Sequence, residues 1–348
     1  MEIAGAHRLR WAGMTITAEP FDRFARASWL RGPHLQTIWG RIGRPRRVVT
    51  FDREVLATPD GDELVLDHVE GARGGARILF LHGLEGSSYS VYIQGMLRIL
   101  QRDGIAATVM NFRSCARDPR NIRRSIPNRA PRLYHSGETS DFDFVLRTLA
   151  ARFPQEVRGA IGVSIGANVL LKWLGETGGQ PLLARAVAIS TPFDLDAGAR
   201  HLEKGMGRLY AGSFITSLKR KAEAVCARHA LARERIDLPR ALRAKTFYEY
   251  DDAATGPLHG FDGAADYYAR SSSIRFIGRI GTPTLCISAA DDPFLPRSVL
   301  DRVRDEASPA VTLVTTEEGG HTGFVGGSAP WDCRYWAEER AAEWVARR

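Results

Sequence analysis

Residues 158–176, RGAIGVSIGANVLLKWLGE, decide the fold. The first part of this stretch is a short apolar run typical of a buried strand, and the last part has the spacing of a helix. Between them, residues 162–166 read G-V-S-I-G and match the pattern G-x-S-x-G. Any side chain larger than hydrogen two residues before or after the serine would collide with the neighbouring strand or helix. The context predicts a sharp strand-to-helix turn that presents Ser164 as a nucleophile.

The same alternation of buried strands and helices extends along most of the chain. A hairpin pattern around a Pro-Asp-Gly turn covers residues 48–69. Apolar runs predict strands at 77–83, 105–112, 158–164, 184–191, 284–288 and 311–315, and helical spacing predicts helices at 89–102, 139–153, 166–176, 296–305 and 332–347. Strands that alternate with helices in this way predict an α/β protein with a mostly parallel, doubly wound sheet.

Two segments do not follow this alternation of strands and helices. Residues 194–280 contain helical patterns, charges and aromatic residues but no clear strand, which predicts a helical lid inserted between two strands of the sheet. Residues 1–47 contain three prolines and several glycines and are expected to form an irregular N-terminal arm packed on the core. The α/β core is therefore expected to comprise residues 48–193 and 281–348.

Composition narrows the class of protein. The 348 residues are 44% apolar and 25% charged, which is ordinary for a globular protein with a full core. The sequence has no apolar run of membrane-spanning length and no apolar signal region near its start, so we expect a cytoplasmic protein. Met14 is an equally plausible natural start. The four cysteines are far apart and form no C-x-x-C pair, so we expect reduced thiols rather than disulfides or a zinc site.

The formal net charge of +8 raises the question of an anionic partner. The cations are spread along the chain, and the sequence contains no nucleic-acid-binding motif. A solvated basic surface is therefore the favoured interpretation, and no nucleic-acid partner is predicted. Weak association with a membrane surface or with an anionic acyl carrier is a minority interpretation.

A serine hydroxyl is a poor nucleophile, and it needs a base that is oriented by an acid. In folds of this kind the acid and then the histidine follow the serine along the chain. His321, in EEGGHTGF after the last predicted strand, is the candidate base. Asp291 and Asp292 both follow the strand at 284–288, and the pattern D-x-x-x-P selects Asp292 as the acid. Asp291 is expected to cap the next helix instead.

Acyl transfer also requires an oxyanion hole, whose donors stabilise the charge that develops on the carbonyl oxygen. The N–H of Ile165 is one candidate donor, and the N–H of Leu84, in the loop H-G-L-E-G at 82–86, is the other. His82 is expected to support that loop rather than to transfer protons. For four other polar side chains, a structural role is favoured over a catalytic one: His34, His135, Glu138 and His259.

Several longer segments resemble a known family, the YheT-like branch of the α/β hydrolases, which is related to the abhydrolase-domain lipid esterases. The resemblance extends from about residue 30 to the C-terminal helix. The segments that carry it are RGPHLQTIWG (31–40), HGLEGSSYSVYI (82–93), NFRSCA (111–116), PRLYHSGETSD (131–141), GVSIGANVLLKWLGE (162–176), SLKRK (217–221), PLHGF (257–261), ADDPFLP (290–296) and GGHTGF (319–324).

The resemblance implies the α/β-hydrolase fold and a triad of Ser164, Asp292 and His321, the same three residues that the spacing selects. It implies hydrolysis of carboxylic esters with short- to medium-chain acyl groups, or of lipids, without a cofactor or a metal. The family often has glycine where Ser114 and Ala167 stand, and Ala167 could alter the packing of the turn at Ser164.

Two other functions remain open from the sequence. An acyltransferase would use the same triad to move an acyl group from an ester or thioester to an alcohol, and it would form a transesterified product when alcohol is added. A catalytically silent binding protein of the same fold would fail to react with a fluorophosphonate. The intact triad and oxyanion loop argue against the silent binding protein. The access of water to the acyl-enzyme decides between the hydrolase and the acyltransferase, and the sequence does not show it.

Overall fold

The computed structural model describes residues 9–11, 14–16, 22–44, 49–72, 75–179 and 182–346. The strands are β1 (Leu9–Trp11), β2 (Met14–Ile16), β3 (Asp52–Ala57), β4 (Glu63–Val69), β5 (Ala76–Leu81), β6 (Ala106–Asn111), β7 (Arg117–Asp118), β8 (Asn121–Ser125), β9 (Val157–Val163), β10 (Arg185–Ile189), β11 (Thr284–Ala289), β12 (Val311–Thr316), β13 (Val325–Ala329) and β14 (Asp332–Tyr335).

The α-helices are α1 (Pro33–Ile42), α2 (Val91–Arg102), α3 (Ser140–Arg152), α4 (Ile165–Thr177), α5 (Leu195–Leu202), α6 (Gly207–Arg228), α7 (Ala230–Arg235), α8 (Leu238–Arg243), α9 (Phe247–Tyr250), α10 (Gly256–Leu258), α11 (Ala264–Ser271), α12 (Arg297–Glu306) and α13 (Trp336–Ala346). A π-helical turn (Asp251–Thr255) and two 3₁₀ turns (Ser273–Arg275 and Ile277–Arg279) also occur. Within the ranges given above, no helix is long and apolar enough to cross a membrane.

Eight strands form the central sheet, in the order β12-β11-β10-β9-β5-β6-β4-β3. The first six are parallel to one another, and β4 and β3 continue the sheet as an antiparallel hairpin. The predicted mostly parallel α/β architecture is confirmed. Parallel strands require crossover connections, and the helices in those connections cover both faces of the sheet.

Strand β5 illustrates how the sheet forms two cores. Leu79 and Leu81 point to the face that is covered by α3 and α4. Ile78 and Phe80 point to the opposite face, which is covered by α2 and α13. Because successive side chains of a strand alternate between its faces, a continuous apolar run such as ARILFL is suited to a sheet that is buried on both sides.

The chain between β10 and β11 forms α5 to α11 and the three irregular helical turns, and it contains no strand. Part of this inserted segment has its own apolar cluster, which includes Val225, Cys226 and Tyr250. Helix α6 is the longest of the helices listed above, with 22 residues.

The expected irregular conformation of residues 1–47 is wrong where α1 forms. Pro33 opens this helix, a position that needs no N–H donor and that suits the fixed φ of proline. The expected C-terminal helix begins four residues late, because Asp332–Tyr335 forms β14 and pairs with β13. Residues 1–8, 12–13, 17–21 and 45–48, which belong to the predicted arm and its junction with the core, lie outside the described residues.

Candidate active site

Ser164 lies at the turn between β9 and α4, with φ 55° and ψ −121°. A non-glycine residue with positive φ is strained, and such strain is concentrated at functional sites. The two flanking glycines have no room for a side chain. A Cβ on Gly162 would lie 2.6 Å from Ala167 Cα. A Cβ on Gly166 would lie 2.5 Å from the Leu81 carbonyl oxygen. The lack of room for a side chain therefore explains both glycines of G-x-S-x-G, as the sequence indicates.

The structure brings Ser164, His321 and Asp292 together. His321 Nε2 lies 3.0 Å from Ser164 Oγ, and Nδ1 lies 2.9 Å and 3.2 Å from the two carboxylate oxygens of Asp292. Asp292 also accepts a hydrogen bond of 2.8 Å from the Phe294 N–H, which fixes the carboxylate toward the imidazole. With Nδ1 donating to Asp292, Nε2 is free to accept the serine proton, so this geometry suits a nucleophile, a base and an orienting acid.

Asp291 occupies a different place from the one expected. Its carboxylate accepts a hydrogen bond of 2.9 Å from the Gly320 N–H, and α12 begins after Pro296 without a side-chain cap. The expectation that Asp291 caps this helix is therefore wrong. Burial, together with the nearby charges of Asp292 and Glu318, raises the pKa of the Asp291 carboxyl. Asp291 thus supports the backbone immediately before His321, while Asp292 faces the imidazole.

Neither candidate oxyanion donor makes a hydrogen bond within the described part of the chain. The Leu84 N–H has no acceptor among the described residues, and neither has the Ile165 N–H at the first position of α4. The loop that carries Leu84 passes close to the serine, because a Cβ on Gly83 would lie 3.2 Å from Ser164 Cβ. Two free N–H groups beside a nucleophile, one of them at a helix N-terminus, suit a developing negative charge.

His82 links the ends of neighbouring strands beneath this loop. Its Nε2 accepts a hydrogen bond of 3.1 Å from the Phe112 N–H, and its Nδ1 lies 2.8 Å from the Gly83 carbonyl oxygen. Full burial lowers the pKa of His82 to about 4, so the ring is neutral. A neutral ring that accepts at Nε2 and donates at Nδ1 satisfies both contacts.

Helix α1 supports the loop of His321, and this support was not predicted from the sequence. The His321 N–H donates to Thr37 Oγ1 over 2.9 Å, and the Thr37 hydroxyl donates to the Pro33 carbonyl over 2.7 Å. The buried amide of Gln36 accepts from the Val325 N–H over 2.7 Å and donates to the Val325 carbonyl over 3.1 Å. Both residues belong to the segment RGPHLQTIWG, whose resemblance to the family was the available signal.

An aromatic group adjoins the base. The ring of Phe294 stacks on the imidazole of His321, with centroids 4.0 Å apart and planes 7° apart. Two aromatic residues of α6 lie next to Phe294, with centroid distances of 5.1 Å for Tyr210 and 6.2 Å for Phe214. These three aromatic side chains are only half-buried. They provide apolar surface beside the reacting groups, and they show that α6 reaches the site.

The polar residues for which a structural role was expected make structural contacts. His34 Nδ1 lies 3.2 Å from the Tyr210 hydroxyl, which joins α1 to α6. His135 lies 3.5 Å from Glu138 and against the ring of His259. His259 lies 2.8 Å from the Leu133 carbonyl, and burial lowers its pKa to about 4.

Ser114 and Ala167 occupy positions where the family often has glycine. Ser114 has φ 61°, a conformation that glycine adopts more easily, and its hydroxyl contacts Asn128. Ala167 is fully buried against Gly162, so its methyl group adds to the packing under the serine turn. In the described part of the chain, no group of three or more His, Cys, Asp or Glu side chains is arranged to hold a metal ion.

Comparison with known proteins identifies the family to which the chain belongs, in agreement with its fold. The family described as the alpha/beta hydrolase fold matches residues 76–328. The protein named "Putative esterase YheT" of Escherichia coli (strain K12) is 35% identical over 337 residues, which is 95% of this chain and 96% of that protein. Phospholipase ABHD3 of Homo sapiens is 28% identical, over 91% of this chain and 80% of that protein.

The chain therefore belongs to the YheT-like branch of the α/β-hydrolase family. A solved structure of the Pyrococcus furiosus esterase Pf2001 has the same fold, with a TM-score of 0.52 at 16% identity, over 80% of this chain and 88% of that one.

Proposed function

We propose that this protein is a serine hydrolase that cleaves carboxylic esters, either small esters with short- to medium-chain acyl groups or lipids. One observation carries the proposal. The Ser164 hydroxyl lies 3.0 Å from an imidazole that is held by Asp292, beside two backbone N–H groups that have no acceptor among the described residues. This combination provides a nucleophile, a base and a site for an oxyanion, and acyl transfer requires all three.

The relatives support the substrate class. Their names include an esterase, phospholipases and a monoacylglycerol lipase, 29% identical over 71% of this chain, and all of these names denote ester cleavage. The half-buried rings of Phe294, Tyr210 and Phe214 suit an acyl chain lying beside the base. The proposed substrate is therefore a small molecule with an acyl ester bond.

In the proposed mechanism, His321 Nε2 takes the proton of Ser164 as the hydroxyl oxygen attacks the ester carbonyl. The N–H groups of Leu84 and Ile165 hold the oxyanion, and the imidazolium then protonates the leaving alcohol. A water molecule gives a proton to His321 and attacks the acyl-enzyme, which releases the acid and restores Ser164. Asp292 holds the imidazole in the required tautomer throughout and stabilises its positive charge.

The test is turnover of p-nitrophenyl esters from acetate to palmitate by the parent and by Ser164→Ala. Ser288→Ala is the matched control, because the Ser288 hydroxyl is buried in β11, two strands away from β9, and has no hydrogen-bond partner in the described structure. We expect a preferred chain length, loss of turnover in Ser164→Ala and near-parental turnover in Ser288→Ala.

Retained turnover in pure Ser164→Ala would contradict the assignment of the nucleophile. A folded parent that turns over no ester and does not react with a fluorophosphonate would contradict the hydrolase itself. Added alcohol that diverts most of the acyl group into a new ester would favour an acyltransferase.

A further inference from the structure

Four segments of the family resemblance contribute no residue to the proposed triad, yet they meet at the ion pair of Glu85 and Lys221. These segments are the loop at 82–86 and the stretches at 111–116, 131–141 and 217–221. The Glu85 carboxylate accepts from Lys221 Nζ over 2.6 Å and from the Tyr134 hydroxyl over 2.7 Å. It also accepts from the Ser217 hydroxyl. Lys221 donates in addition to Cys115 Sγ over 3.1 Å.

This cluster is largely shielded from water. The side chains of Glu85 and Lys221 are each 11% exposed. Burial acts to raise the pKa of Glu85, but the charge of Lys221 and the hydrogen bonds lower it below its ordinary value. Burial acts to lower the pKa of Lys221, but Cys115 and Glu85 raise it. Both groups are therefore charged in the folded protein, and removal of either would leave a buried charge without its partner.

Glu85 directly follows the candidate oxyanion donor Leu84 and lies in the same turn. The turn is closed by a 3.0 Å hydrogen bond from the Gly86 N–H to the Gly83 carbonyl. The Gly83 carbonyl and the Leu84 N–H belong to the same planar peptide group. The turn therefore determines where the Leu84 N–H points. Glu85 has φ 56°, which costs about 1–2 kcal/mol for a residue with a Cβ. Its side-chain contacts offset that cost and hold the turn.

Two of those contacts come from α6, which also reaches the base. Tyr210, Phe214, Ser217 and Lys221 are spaced i, i+4, i+7 and i+11, so they share one face of the helix. The first two lie against Phe294, which stacks on His321, and the last two bind Glu85. One helix face thus contacts the supports of both the base and the oxyanion turn.

We propose that Lys221 and Ser217 are positioning residues that act through Glu85 to fix the direction of the Leu84 N–H. The oxyanion hole then forms when α6 packs on the loop at 82–86. This inference rests on the proposed ester hydrolysis. The charged Glu85–Lys221 pair is the main contact, and Tyr134 and Ser217 fix the direction of the carboxylate. Lys221 and Ser217 then contribute to the transition state without touching the substrate themselves.

The experiment compares Lys221→Met, Lys221→Arg and Ser217→Ala with the parent, using the best p-nitrophenyl ester. Arg77→Met is the matched control, because Arg77 and Glu156 form another buried ion pair, at 2.7 Å, with side chains 3% and 12% exposed. Thermal stability is measured for all variants, and kcat is normalised to the fraction of Ser164 that reacts with a fluorophosphonate.

We expect Lys221→Met to lower kcat by about 10- to 100-fold, which is less than the ~10²- to 10³-fold cost of losing an oxyanion donor outright. KM should change by less than about threefold, because the oxyanion hole binds charge that develops only in the transition state. Lys221→Arg should restore part of kcat. Arg77→Met should lose stability but keep its kcat per reactive serine.

Parental kcat in folded Lys221→Met would overturn the inference while leaving ester hydrolysis intact. If Lys221→Met does not fold, Ser217→Ala is the deciding variant. We expect its kcat to fall by about threefold or more, and an unchanged kcat would refute the inference. Equal losses of kcat per reactive serine in Lys221→Met and Arg77→Met would also overturn it. A parent without ester turnover would overturn the proposed function, and this inference with it.

Discussion

Replacing Asp292 by asparagine is expected to lower kcat by about 10⁴-fold, or ~5 kcal/mol of transition-state stabilisation. The carboxylate accepts from His321 Nδ1 over 2.9 Å and from the Phe294 N–H over 2.8 Å. Asparagine has one acceptor oxygen for these two donors. If that oxygen stays on Phe294, the amide NH₂ faces Nδ1, and the imidazole proton moves to Nε2. His321 can then no longer accept the proton of Ser164.

The adjacent Asp291→Asn is the matched control, since it makes the same chemical change one residue away. Asp291 accepts the Gly320 N–H at 2.9 Å, and an amide oxygen can make that bond equally well. Because burial and the charges of Asp292 and Glu318 raise the pKa of Asp291, its charge is unfavourable and removing it costs little. We expect kcat to stay within about threefold of the parent, which is less than 1 kcal/mol.

The assay is steady-state hydrolysis of the preferred ester at pH 8, with thermal unfolding to show that both variants are folded. A loss of activity in Asp291→Asn as large as that in Asp292→Asn would refute the assignment of the acid, and so would the reverse order. An Asp292→Asn variant within about tenfold of the parent would refute the tautomer argument itself.

Three further changes test other parts of the structure. Phe294→Ala should lower kcat by about two- to twelvefold, measured on the same ester, because an aromatic stack such as that on His321 contributes ~0.5–1.5 kcal/mol; an unchanged kcat would contradict this role. Arg113→Met should lower the free energy of unfolding by ~3–5 kcal/mol in urea titrations, because the change leaves three carboxylates without their buried cation. A loss below about 1 kcal/mol would contradict this stabilising role of Arg113. Burial raises the pKa of Asp251 to about 6, so the folded state loses stability as pH rises from about 4 to about 6. Asp251→Asn should therefore be more stable than the parent at pH 8, by up to ~3 kcal/mol, and should show no such gain near pH 4; denaturant titrations at both values decide.

Much of the fold could be predicted from the sequence, because a parallel sheet buried on both faces requires uninterrupted apolar runs. The run RILFLHG predicted a strand at 77–83, and β5 occupies Ala76–Leu81. The serine turn was equally predictable, because the two glycines at fixed spacing stand directly between an apolar run and a helical pattern. The chain order of the acid and the base then limited the candidates to two aspartates and one histidine.

The parts that could not be predicted depend on contacts between distant segments. The contacts of α1 could not be predicted because the side of the helix that faces the protein carries polar and small residues, Gln36 and Gly40, rather than an apolar stripe. Gln36 forms hydrogen bonds with the backbone of Val325, and Gly40 lies close to Gly323, but no local pattern in the sequence shows these contacts. The cluster around Glu85 brings together residues up to 136 positions apart, so it could be seen only in three dimensions.

The hydrogen bonds between α1 and the loop of His321 have a consequence for how this protein can be recombined with its relatives. The matched family region begins at residue 76, yet the hydroxyl that accepts the His321 N–H belongs to Thr37. A chimera joined between α1 and β3 would therefore pair the base of one parent with the support of another. In such an exchange, α1 and the loop of His321 have to come from the same parent, although 284 positions separate Thr37 from His321 in the chain.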